Sequence, residues 1–123
     1  MKVEISNGEL LDKLSILEIK LSKIENPDKR SNIQAEYDLI LTLSNEIAAL
    51  VPGLLSELRG INLRLWETED VIRDFEAYQD FGENFIEAAR SVYLLNDQRA
   101  AIKKQINLQT GSALHEEKSY SGY

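Results

Sequence analysis

Asn62, Trp66, Glu69 and Arg73 stand three and four residues apart in NLRLWETEDVIR (62–73), the spacing that places side chains on one face of a helix. Leu58, Ile61, Leu65, Ile72 and Phe75 make an apolar stripe immediately beside them. Ionised groups so close to a core seam are costly to desolvate unless they are paired, so the polar stripe is either a structural network or a site. Downstream, Tyr93, Asn96, Asp97, Arg99 and Lys103 form a second polar set, and Arg99 falls on the same repeat as the apolar residues around it. Pooled with Asp70, the two sets contain the groups a polar-ligand pocket uses. Guanidinium groups grip carboxylate or phosphate with two parallel hydrogen bonds, amides both donate and accept, and an indole is an apolar platform for a sugar or a base. In such a pocket Arg73, Arg99 and Lys103 hold negative charge, Asn62 and Asn96 orient the ligand, Glu69 and Asp70 accept hydrogen bonds and Trp66 stacks. The expected ligand is small and anionic or sugar-like.

The same residues allow other arrangements. In a closed network, Glu69 and Asp70 of the third helix neutralise Arg73 and Arg99 while Trp66 fills the core. In an enzyme, Glu69, Asp70 and Asp97 hold magnesium for nucleotide hydrolysis, releasing phosphate or pyrophosphate. Glu67 with Asp70, and Asp80 with Glu83, share the i, i+3 spacing that invites the same thought. Hard cations need several oxygens converging from facing helices, and Glu67 lies off both stripes, so a solvated surface is expected there. A non-catalytic binding or accessory role without a cofactor is therefore the leading expectation, and a purely structural or oligomerisation subunit is the remaining alternative.

The elements that must position these groups read as an all-α, antiparallel four-helix bundle with short loops, residues 1–111, followed by a polar C-terminal tail, 112–123. Ser6 and Glu9 have capping-box spacing, and a first helix to about Ile24 follows, with a seam of Leu10, Leu14, Leu17, Leu21 and Ile24. Leu11, Ile16 and Ile19 extend its apolar surface most of the way round, which predicts a helix covered on more than one side and a homodimer through the extra face. Lys13 and Lys20 sit together on its flank, snorkelling or facing an anion. Asn26, Pro27 and Asp28 mark a turn, and Ser31 with Gln34 repeats the capping-box spacing for a second helix ending near Pro52 and Gly53. The third runs from about Leu54 to Tyr78, with Gly60 inside it at a close approach or a bend. The fourth runs from about Glu83 to Leu108, burying Phe85, Ala88, Val92, Leu95, Ile102 and Ile106, and Gly111 terminates it. Met1 to Ile5 are a short strand or a lead-in.

Composition bounds the partners. In 123 residues there are 21 acidic and 14 basic side chains, net charge −7, with pI near 4.7, so long-range electrostatics disfavour nucleic acid and anionic membrane. The absence of cysteine rules out disulfides, thiolate zinc sites and a cysteine nucleophile, and is compatible with a reducing cytoplasm. One histidine, His115, stands in the tail beside Glu116 and Glu117, where a solvated side chain is expected rather than a metal ligand or a triad base. No phosphate-cradling glycine loop, internal repeat, signal-peptide core or membrane-length apolar run is visible. A cytoplasmic protein is expected, with a protein partner, a small ligand or a second copy of itself as its company.

Four blocks, ISNGELLDKLSILEIKLSKI (5–24), NLRLWETEDVIR (62–73), ARSVYLLNDQRAAIKKQINLQTG (89–111) and EEKSY (116–120), resemble a family of small bacterial and phage proteins of unknown function. The second and third are also similar to a broader family in which an Asn, Trp, Glu-Asp, Arg helix is followed by an Asn and Arg helix. The resemblance implies an all-helical fold and an accessory role near glycosyltransferases or surface-polysaccharide synthesis. It implies no catalytic residue, cofactor or substrate.

Overall fold

The structure, a computed structural model, describes residues 1–114; the expectations for His115 and for the tail beyond residue 114 lie outside them. Four helices form a bundle: α1 (Asn7–Lys23), α2 (Pro27–Leu50), α3 (Pro52–Ala77) and α4 (Glu83–Thr110). No strand occurs among the described residues, and Met1 to Ile5 are exposed.

Local chemistry sets the boundaries. Ser6 Oγ accepts from the Glu9 amide at 3.1 Å and opens α1, as its side chain at an N-cap should. α2 starts five residues earlier than the Ser31 cap predicts, because Pro27 begins the helix and Asn26 caps it: Asn26 Oδ1 accepts from the Lys29 amide at 3.1 Å. Proline suits a first helical position, where its missing N–H has no partner to lose. Pro52 opens α3 in the same way, and Val51 alone joins α2 to α3. The end of α1 is closed from α2, where Arg30 Nη1 donates to the carbonyls of Leu21 and, at 3.0 Å, Ile24. Gly111, at φ 65°, ends α4.

α1 is the central helix and packs against the other three. One side of it, Leu11, Leu14 and Leu17, meets Ile40, Val51, Leu55, Leu58 and Ile106 in the core, whereas Leu10, Leu21 and Ile24 of the expected seam are only half-buried. Its other side, Gly8, Asp12, Ser15 and Ile19, has helical spacing and is also buried, against α3 and α4. Of the residues that extend the apolar surface of α1, Leu11 and Ile19 are buried within the chain and Ile16 is half-buried. α3 runs through Gly60 unbroken, and a Cβ placed there would meet nothing within 4 Å; this glycine marks no close approach. In α4, Leu95 and Ile106 are buried, Phe85, Ala88, Val92 and Ile102 are half-buried, and Lys103 and Asn107 go deeper than those four. The closed end of the α3/α4 hairpin is held by Phe85, which meets Phe75 and Phe81 edge to face with centroids 6.3 and 5.3 Å apart.

Candidate functional site

The most deeply buried charged group lies outside both polar stripes. Asp12 of α1 is 1% exposed. Its Oδ1 accepts from Asn62 Nδ2 of α3 and from Arg99 Nε of α4, both at 2.9 Å, and its Oδ2 accepts from Arg99 Nη2. Lys103 Nζ stands 3.9 Å from the same oxygen and donates to Glu9 Oε2 at 2.6 Å. Ser15 Oγ donates to the Asp12 carbonyl at 2.9 Å and accepts from Asn62 Nδ2 at 2.6 Å. Glu9, Asp12, Arg99 and Lys103 are thus two anions and two cations whose charges cancel in place, which is what makes their burial tolerable. Arg99 does require a partner, but it comes from α1, not from Glu69 or Asp70 of α3 as expected.

This network ties three helices together at a close contact. Gly8 N donates to Asn107 Oδ1 at 2.6 Å, and a Cβ on Gly8 would lie 2.5 Å from the Lys103 carbonyl oxygen. Only glycine lets the first turn of α1 approach α4 this closely. Asn7 adds two more links, its amide to Ser112 Oγ at 3.1 Å and its Nδ2 to Thr110 Oγ1 at 2.9 Å. Gly8, Asp12 and Ser15 are spaced i, i+4, i+7 on one face of α1, and that spacing is the signal that could have found them.

Above Asn62 and Arg99 opens a cleft of about 530 Å³ between α1, α3 and α4. Ile16, Ile19, Leu65 and Val92 form its apolar walls, Trp66 stands half-buried among them, and Glu69, Asp70, Arg73 and Asn96 line it from exposed positions. Seven of the ten expected site residues therefore share one cavity: Asn62, Trp66, Glu69, Asp70, Arg73, Asn96 and Arg99. The other three are elsewhere. Lys103 belongs to the buried network. Tyr93 is exposed on α4, where its hydroxyl accepts from Arg90 Nε at 3.1 Å and holds that guanidinium above its ordinary pKa. Asp97 is half-buried and outside the cleft.

Within the cleft, Arg73 Nε is 4.0 Å from Glu69 Oε2, one helical turn back, with both side chains largely in solvent. Neither Lys13 nor Lys20 lines it. Glu67 faces a separate groove with Arg64, Thr68 and Val71. Asp80 Oδ1 accepts from the Gly82 amide at 3.1 Å and serves the turn between α3 and α4. Among the described residues no group of three or more acidic, histidine or cysteine side chains is placed to hold a metal ion, and Asp97 lies outside the cleft that Glu69 and Asp70 line. No helix of the described residues is long and apolar enough to cross a membrane.

The profile of a family described as a family of unknown function (DUF6165) matches residues 1–123. No curated protein and no solved structure matches the chain.

Proposed function

We propose, for a chain that belongs to the family of unknown function DUF6165 and so inherits no activity from it, that the cleft between α1, α3 and α4 binds a small sugar-like ligand and that the protein is a non-catalytic binding or accessory module. The observation that carries this reading is the convergence of Asn62, Trp66, Glu69, Asp70, Arg73, Asn96 and Arg99 on one cavity whose floor is fixed by Asp12. Its volume, about 530 Å³, falls in the range of small-molecule sites, which combine apolar walls with a few convergent polar groups. An indole edge or face covers the C–H face of a pyranose, while carboxylates and amides on the rim meet its hydroxyls. A floor already locked by hydrogen bonds loses little freedom when the ligand arrives.

A strongly anionic ligand is served less well. Of the three cations expected to hold negative charge, Arg99 is engaged by Asp12 and Lys103 by Glu9, and Arg73 stands beside Glu69. An accessory role in glycan synthesis, the context the sequence resemblance implies, is compatible with a sugar-like ligand.

Trp66 is the sole tryptophan, so its emission reports directly on the cleft. Titration with monosaccharides, sugar nucleotides and phosphosugars is expected to give a saturable shift or quench with at least one sugar, and a matching rise in melting temperature by mass action. Asn96→Ala should weaken both. Unchanged emission and unchanged melting temperature across the panel would overturn the reading and leave the three-helix network as a purely structural device.

A further inference from the structure

We infer that the ligand carries a protonated amine among its hydroxyls, as an amino sugar does, held between the Trp66 ring and the carboxylates of Glu69 and Asp70. This rests on the reading of the cleft as a sugar-like site and narrows it. The interior charges of the region cancel: Arg99 is matched by Asp12, and Lys103 by Glu9. The charges left on the rim are Glu69, Asp70 and Arg73, an excess of one negative. Arg73 is 80% exposed and approaches Glu69 alone, while Asp70 has no ion pair among the described residues. Glu69 and Asp70 follow Trp66 by three and four residues, so both carboxylates stand one turn along from the indole on the same face of α3. The face of an indole is electron-rich and attracts an ammonium group. A small cation there meets the ring and two carboxylates together, and an anion meets the same groups as repulsion. The chain's net charge of −7 draws cations towards the site from a distance and opposes anions.

The test is a set of Trp66 emission titrations at constant ionic strength and about pH 6, where a primary amine of this kind is protonated, using glucosamine, glucose, N-acetylglucosamine and glucose 6-phosphate as probes. Glucosamine should bind about five- to tenfold tighter than glucose, from the cation–ring and carboxylate contacts together. N-acetylglucosamine, whose acetyl group removes the charge, should behave as glucose does, and glucose 6-phosphate should bind weakest. Asp70→Asn and Glu69→Gln are surface changes that leave the fold in place, and each should lower glucosamine binding more than glucose binding. Equal affinities for glucosamine and glucose, or a preference untouched by both substitutions, would overturn the amine assignment while leaving the sugar reading standing. No saturable response to any of the four probes would overturn both.

Discussion

Asp12 on α1 and Arg99 on α4 lie 87 residues apart and meet in a two-pronged ion pair, Arg99 Nε donating to Oδ1 at 2.9 Å and Nη2 to Oδ2. The carboxylate is fully inside the protein, whereas the guanidinium side chain keeps 28% of its surface in the cleft. One end of the pair therefore belongs to the fold and the other to the candidate site. Removing Arg99 leaves Asp12 buried with Asn62 and a more distant Lys103, and an uncompensated buried charge costs on the order of 3–5 kcal/mol. Arg99→Met should lower the urea midpoint accordingly. Adding Asp12→Asn should recover much of that loss, because the buried charge goes with it; adding Glu69→Gln should recover nothing. Equal stability of the single variant and of its Asp12→Asn double would show that the pair is not the stabilising contact.

Arg59 and Glu18 offer a contrast within the same molecule. Their two hydrogen bonds, 2.7 and 2.8 Å, are as well made as those of Asp12 and Arg99, and they raise the Arg59 pKa above its ordinary value. The Arg59 side chain is 47% exposed, however, and water screens such a pair. Arg59→Met should cost below about 1 kcal/mol, shrinking towards zero as salt is raised. A loss matching that of Arg99→Met, or one indifferent to salt, would contradict the ranking of the two pairs by burial.

These pairs also show what was legible in the sequence. The four helices, the Ser6 cap and the Gly111 stop are written in local spacing and in the conformational preferences of single residues. The α3 half of the cleft is legible for the same reason, since Asn62, Trp66, Glu69 and Arg73 share one face whatever packs against it. Which carboxylate meets Arg99 is a different kind of fact. It depends on how α1 lies against α4, and with 21 acidic residues in the chain no spacing rule singles out Asp12. Attention to the apolar seam also works against it, because Asp12 sits within LLDKLS (10–15) as an interruption of a hydrophobic run. The starts of α2 and α3 carry a related ambiguity: proline is incompatible with a helix interior yet well suited to its first turn, and a lone sequence states only that a boundary is near.

Gly8 and Gly60 are both helical, and alanine should act on them with opposite signs. At Gly8 the added methyl would stand 2.5 Å from the Lys103 carbonyl oxygen and 3.0 Å from Asn107 Oδ1, backbone and a bound amide that cannot step aside without separating α1 from α4. Gly8→Ala should destabilise by about 1–3 kcal/mol, as overpacking does. At Gly60 the methyl meets open space, so Gly60→Ala should stabilise by about 0.5–1 kcal/mol through helix propensity. Chemical denaturation of the two variants decides it, and a stabilising Gly8→Ala would mean that the α1/α4 contact is looser than these distances.

Gln79 closes α3 in the left-handed conformation, at φ 55°, where a side chain is strained. Asp80 N donates to the Phe75 carbonyl at 2.9 Å and Gln79 N to that of Glu76 at 3.1 Å, the pair of bonds that ends a helix with a left-handed residue at the position glycine normally fills. The Gln79 side chain adds one exposed hydrogen bond from Nε2 to the Glu76 carbonyl, which is worth little in water. Gln79→Gly relieves the strain but enlarges the unfolded chain's freedom, and the balance should favour the folded state by about 0.5 kcal/mol. Gly111 ends α4 at φ 65° and makes the reverse experiment: Gly111→Ala should destabilise by about 1 kcal/mol. Melting temperatures of the two variants should therefore move in opposite directions. If both fell, the turn after α3 would owe its shape to the Gln79 side chain and not to its backbone.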